Sequence, residues 1–78
     1  MEQANGSSLE VMFGRRILQI RKEMSLSQKA FGELVGCHRT YIGQIERAEK
    51  CVSIKTVEQI CKALNISVQE LFDFSKLK

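Results

Sequence analysis

Apolar residues along this chain recur at intervals of three and four, and the pattern restarts after each polar or glycine-containing break. That is the rhythm of short amphipathic helices; no segment alternates convincingly enough to predict a strand. From Leu9 to about Glu23, the residues Phe13, Ile17, Ile20 and Met24 form one stripe, and Arg15, Arg16, Gln19 and Lys22 form an opposite face predicted to be solvated. Ser27 caps a second helix in which Phe31, Leu34 and Val35 stand at i, i+3 and i+4. Gly36 ends it, because glycine enters the left-handed conformation of a helix end without steric cost. A third helix, His38 to Arg47, turns Ile42 and Ile45 inward with Tyr41 beside them, and Arg39, Thr40, Gly43, Gln44 and Arg47 outward. Ser53 starts a fourth over Ile54 to Leu64, with Val57, Ile60, Cys61 and Leu64 on one stripe and Asn65 as its stop. Ser67 and Glu70 have the capping-box spacing that opens a fifth.

The fifth helix carries a geometric conflict. Phe72 and Phe74 are two residues apart, about 200° around a helix, so both cannot face one core. Val68, Leu71 and Phe72 make one stripe, and Leu71, Phe74 and Leu77 extend towards another. A chain of 78 residues has no second core for the latter group, which is therefore expected to form a homodimer interface.

Composition narrows the function classes without choosing one. The length suits a flexible arm over residues 1–8 and a single domain over 9–78, and the lack of proline agrees with an all-α fold. Twelve basic and nine acidic residues leave a net charge of +3, which permits nucleic-acid binding but does not demonstrate it. Cys37, Cys51 and Cys61 form no C-x-x-C pair and read as reduced thiols; Cys37 and His38 are adjacent but lack further clustered ligands, so no metal is expected. His38 has no evident base partner, the carboxylates are scattered and no phosphate-binding glycine loop is present. No enzyme activity, cofactor or small-molecule ligand is expected. There is no membrane-length apolar run and no basic start of a signal peptide, so a cytoplasmic, nucleoid-associated protein is expected.

Residues 26–47 carry the chemistry: two short helices joined by a glycine turn, the second with a polar outer face, form the pattern that fits a DNA major groove. Arg39 can pair bidentately with guanine O6 and N7, and Gln44 with adenine N6 and N7. Thr40 offers a methyl or a hydroxyl. Tyr41 suits either a thymine contact or the rim of the core. Arg47 and Lys50, with Ser53 and Lys55 at the start of the fourth helix, are candidates for phosphate contacts.

Ser27-Gln28, Gly36, His38-Arg39-Thr40-Tyr41-Ile42, Ile45-Glu46-Arg47 and Ser53-Ile54-Lys55-Thr56 together resemble the phage-repressor-type (lambda-repressor-like, Xre-type) helix-turn-helix regulators, over roughly residues 13–74. Among these the chain looks most like the controller proteins of restriction-modification systems. The resemblance implies a five-helix domain with the helix-turn-helix at its second and third helices, and a homodimeric regulator on a near-palindromic double-stranded DNA operator. It assigns a phosphate contact to Gln28, a partly buried ion pair to Arg21 and Glu46, and dimerisation to the last helix. Gly43 stands where serine is commoner, and Ala48 and Cys51 replace a glycine and an asparagine. A DNA-binding antitoxin or a small phage-type repressor is the alternative with the same fold. A protein-interaction module is disfavoured because the Arg39, Thr40 and Gln44 face is kept.

Overall fold

Serine hydroxyls start four of the five helices seen in the computed structural model, which describes residues 8–77. The helices are α1 (Leu9–Glu23), α2 (Gln28–Val35), α3 (Arg39–Glu46), α4 (Ile54–Leu64) and α5 (Val68–Leu71), followed by a 3-10 turn over Phe74–Lys76; no strand occurs among the described residues. The backbone N–H groups of Val11, Ala30, Thr56 and Glu70 donate to the hydroxyls of Ser8, Ser27, Ser53 and Ser67 at 3.0 to 3.3 Å. Each bond satisfies one of the orphan donors of a helix start. The arm expected over residues 1–8 falls, apart from Ser8, outside the described residues.

Stops are equally local. Gly36 and Asn65 take left-handed conformations, with φ of 81° and 57°, and end α2 and α4. After α3 the left-handed residue is Ala48, at φ 60°, where the family resemblance expects glycine. Its Cβ makes that conformation cost about 1 to 2 kcal/mol.

One core joins all five helices: Phe13, Ile17, Phe31, Val35, Ile42, Ile45, Ile60, Cys61 and Leu71 are buried together. Helix α3 packs against both α1 and α2, and α4 packs against α2 and α5. Gly14 permits the α1–α3 contact, since a Cβ there would overlap the Ile45 carbonyl, and Gly32 does the same for the carbonyl of Cys37 in the turn. Two apolar residues expected inside are not: Leu34 is 42% exposed on the outer side of α2, and Met24, the C-cap of α1, is 43% exposed.

The conflict in the last helix is resolved by ending it. α5 stops at Leu71, so the helical angle between Phe72 and Phe74 never applies. Both rings lie on one cluster instead, with centroids 5.1 Å apart for Phe13 and Phe72, and 5.8 Å for Phe72 and Phe74. Leu71 is 0% exposed within the protomer, which removes its side chain from any dimer interface and corrects that expectation.

Arg16 corrects a second one. It sits not on a solvated face but 3% exposed, at the junction of α1 with α5. Its Nε donates to the Leu71 carbonyl at 3.2 Å, Nη2 to the Glu70 carbonyl at 2.8 Å and its carboxylate at 3.4 Å, and Nη1 to Gln19 Oε1 at 2.9 Å. These carbonyls belong to the end of a helix that is too short to satisfy them itself, so the guanidinium acts as its C-terminal cap.

Removing the guanidinium leaves the Leu71 carbonyl without its donor and the Glu70 carbonyl with only the Asp73 N–H, at 3.3 Å. Arg16→Ala should lower the unfolding free energy by about 2 to 4 kcal/mol, whereas Arg15→Ala on the exposed neighbouring position should change it by less than about 0.5 kcal/mol. Urea unfolding followed by circular dichroism tests the pair, and equal midpoints would make Arg16 an ordinary surface residue.

Candidate nucleic-acid interface

α3 has only eight residues, and on its own would be marginal in water, so its pose depends on what holds its two ends. At its start, the Thr40 N–H donates to His38 Nδ1 at 3.0 Å, making the imidazole the N-cap. At its end, the Glu46 carboxylate receives Arg21 Nε at 2.6 Å on one oxygen, and Arg21 Nη2 at 3.1 Å and Gln28 Nε2 at 2.9 Å on the other. Arg21 also donates from Nη1 to the Leu26 carbonyl at 2.9 Å. Side chains from α1 and α2 thus converge on one carboxylate of α3. The pair is largely withdrawn from water, with Arg21 13% and Glu46 5% exposed.

The turn between α2 and α3 is held from a third direction. Gln59 of α4 donates from Nε2 to the carbonyls of Val35 and Gly36, at 2.8 and 3.1 Å, and so satisfies the end of α2. Burial raises the thiol pKa of Cys37 beside it, and that of the core residue Cys61, keeping both protonated. All three cysteines are free.

The outer face left by this scaffold is polar. Arg39 and Thr40 are exposed, Gln44 and Tyr41 are half-buried, and Tyr41 packs against the core. Gly43, expected on the outward face, is buried: its Cα lies beneath the Gln28 amide and the Arg47 guanidinium, and a Cβ there would meet Arg47 Nη1 at 3.0 Å. Lys50, Ser53 and Lys55 are exposed along the loop and the start of α4.

Three of the expected phosphate contacts already have protein partners, Ser53 through the Thr56 N–H and hydroxyl at 3.1 Å each. Gln28 uses one amide N–H on Glu46 and keeps the second. Arg47 forks onto Glu49, with Nε to Oε2 at 2.8 Å and Nη2 to Oε1 at 3.2 Å. That hydrogen bonding holds the Glu49 carboxyl below the usual carboxylate range. Cys51 in the same loop donates to Glu10 at 3.2 Å, which lowers the pKa of the carboxyl and raises that of the thiol.

Three residues that shape this face escape a reading of the sequence. His38 occupies an N-cap slot immediately before α3, and that spacing was the signal available for it. Gln59 and Gly14 gave none, because their partners lie 23 or more residues away in the chain.

Residues 17–71 match the Helix-turn-helix family. Control protein C.BamHI of Bacillus amyloliquefaciens is 36% identical over 91% of this chain and 89% of its own length. Control protein C.SmaI of Serratia marcescens is 37% identical over 90% of this chain and 83% of its own. Among solved structures, the restriction-modification controller protein C.AhdI from Aeromonas hydrophila is similar with a TM-score of 0.73, at 35% identity, covering 80% of this chain and 94% of that one.

The two acidic residues at the end of α3 differ in environment and should differ in effect. Glu46→Ala strands Arg21 with little water around it and should cost about 3 to 5 kcal/mol of stability. Glu49→Ala breaks an exposed, solvent-screened pair and should leave the thermal midpoint nearly unchanged. Thermal unfolding of both variants decides the matter, since equal midpoints would assign Glu46 to the surface.

Proposed function

The chain belongs to the Helix-turn-helix family of DNA-binding transcription regulators, and we propose that it acts as a homodimeric control protein of the restriction-modification kind on a near-palindromic operator. The observation that carries this reading is the exposed polar start of α3, with Arg39 and Thr40 projecting from a helix fastened at both ends. Arg39 reads a guanine edge by two parallel hydrogen bonds, and Thr40 and Gln44 read neighbouring pairs in the same groove. Tyr41 adds an apolar contact at the groove wall. Gln28, through its free amide hydrogen, and Ser53 and Lys55, at the start of α4, hold phosphates on either side. Lys50 and Arg47 neutralise the backbone between them, Arg47 exchanging Glu49 for a phosphate. Such a regulator works on the nucleoid and needs no reaction chemistry of its own. No helix among the described residues is long and apolar enough to cross a membrane.

Dimerisation is assigned here to a different face from the one the sequence suggested. Ile54 is 87%, Leu9 62% and Val68 53% exposed, and with Val57 and Phe72 they line an apolar surface along α4, α5 and the start of α1. A second copy related by a two-fold axis covers that surface with its equivalent and sets two α3 helices for successive half-sites. Phe74, half-buried, packs against the protomer's own core, and Leu77 lies beside Arg15, Leu18 and Lys22 of α1.

Selection of binding sites from random duplex DNA provides the operator and the first test: enrichment of a sequence with two-fold symmetry is expected. On that operator, Arg39→Ala should lose about 1 to 3 kcal/mol and flatten the preference at one symmetric base pair. Lys50→Ala should weaken all sequences about equally and reduce the salt slope by about one unit per site. Affinities for single-base operator variants at two salt concentrations separate the two, and a uniform loss from Arg39→Ala would remove it as a reader.

The interface prediction is independent of base reading. Ile54→Glu combined with Val68→Glu should give a folded monomer and weaken operator binding by about tenfold or more, because linked half-sites supply each other's effective concentration. Leu71→Ala should instead destabilise the protomer. Sedimentation of the double variant at dimer mass with full affinity would take this face out of the interface.

A further inference from the structure

We propose that His38 is a positioning residue whose neutral imidazole fixes the first turn of α3, so that base discrimination by that turn weakens as the ring takes up a proton. The proposal rests on the assignment of Arg39 and Thr40 as base readers. Its geometric basis is the 3.0 Å hydrogen bond from the Thr40 N–H to His38 Nδ1. Every other helix of the described chain starts on a serine hydroxyl, which keeps its acceptor lone pairs at any physiological pH. The helix that carries the base readers starts on the chain's single histidine. Imidazole is the side chain whose ordinary titration falls between pH 5 and 8.

Protonation changes the cap in two ways that act together. Imidazolium has two N–H donors and no acceptor, so the bond to Thr40 is lost. Its positive charge then faces the positive end of the helix dipole, and α3 has no acidic residue in its first turn to offset it. The charged groups around the ring are Lys29 and Glu33 of α2 and Arg39 of α3, with the Cys37 thiol beside them. The Thr40 amide donates to His38 rather than to any of them. Adjacent to this bond are the two side chains whose direction sets the reading, and the distal end of α3 is held separately, by Arg21 and Gln28 on the Glu46 carboxylate. Loosening is therefore confined to the first turn.

The test compares wild type, His38→Asn and His38→Ala by fluorescence anisotropy on the selected operator and on a scrambled duplex of equal length, at about pH 7.5 and about pH 5.5. Asparagine caps as well as any residue and does not titrate, so it separates the cap from the proton. The ratio of operator to scrambled affinity should fall by about threefold to thirtyfold in wild type on acidification, the range that loss of a cap spans. It should change by less than about twofold in His38→Asn, and be low at both pH values in His38→Ala. A wild-type ratio that stays level or rises, as an imidazolium gripping a phosphate would produce, overturns the proposal. So does a His38→Asn ratio that falls in parallel with wild type. Amide hydrogen exchange of the free protein separates this result from the base-reading assignment. Thr40 protection lost at the lower pH in wild type but retained in His38→Asn supports the cap whatever Arg39 reads, and equal protection at both pH values refutes it.

Discussion

A single carboxylate, that of Glu46, is the point on which the rest of the arrangement depends. It lies at the C-terminal end of α3, where the helix dipole disfavours negative charge, and it is almost fully removed from water. Neither condition is tolerable alone. Both are met because Arg21 brings two guanidinium nitrogens from α1, and Gln28 brings an amide hydrogen from α2. The polar bond network therefore does what nonspecific apolar packing in a core this small does poorly. It fixes the rotation of a short helix about its own axis, and so the direction in which the outer side chains point.

Around that point the chain divides its labour by face. Apolar residues of all five helices meet in one cluster, the outer side of α3 is polar, and the loop after it borders the exposed apolar side chains Leu9 and Ile54, with Lys50 beside them. In the proposed assignment the base readers Arg39, Thr40, Gln44 and Tyr41 share no residue with the partner surface of Leu9, Ile54 and Val68, so a change in one can leave the other intact.

What was legible in the sequence was local. The serine caps at positions 27, 53 and 67, the left-handed stops at Gly36 and Asn65, and the stripes of α1 and α4 each involve residues within one or two turns of one another, so spacing alone identifies them. What escaped was non-local. Arg16 sits one residue before Ile17 and shares a face with Arg15 and Gln19 by any periodicity argument, yet its partners lie 54 and 55 positions further on. Leu71 looked available for a partner because the end of α5 was drawn too long; a four-residue helix, capped by a distant guanidinium, tucks it inward. At the candidate interface, residue type and helix register pointed to the polar face of α3, but Gly43 proved to be the floor beneath Gln28 and Arg47. The cap role of His38 needed atomic positions to be recognised.

The reach of Arg16 has a consequence for how the molecule comes into being. In a chain of 78 residues, the two carbonyls that receive its guanidinium are contributed by Glu70 and Leu71. A polypeptide shortened before them would leave the Arg16 guanidinium only Gln19 as an acceptor and would lack Leu71, one of the residues of the core. Folding is thus deferred until the segment that carries Glu70 and Leu71 has been translated and has cleared the ribosome. Products ended or clipped before residue 70 lack a core leucine and the carbonyls that hold Arg16, so where the dose of a regulator is itself the signal, only molecules that include this segment count towards it.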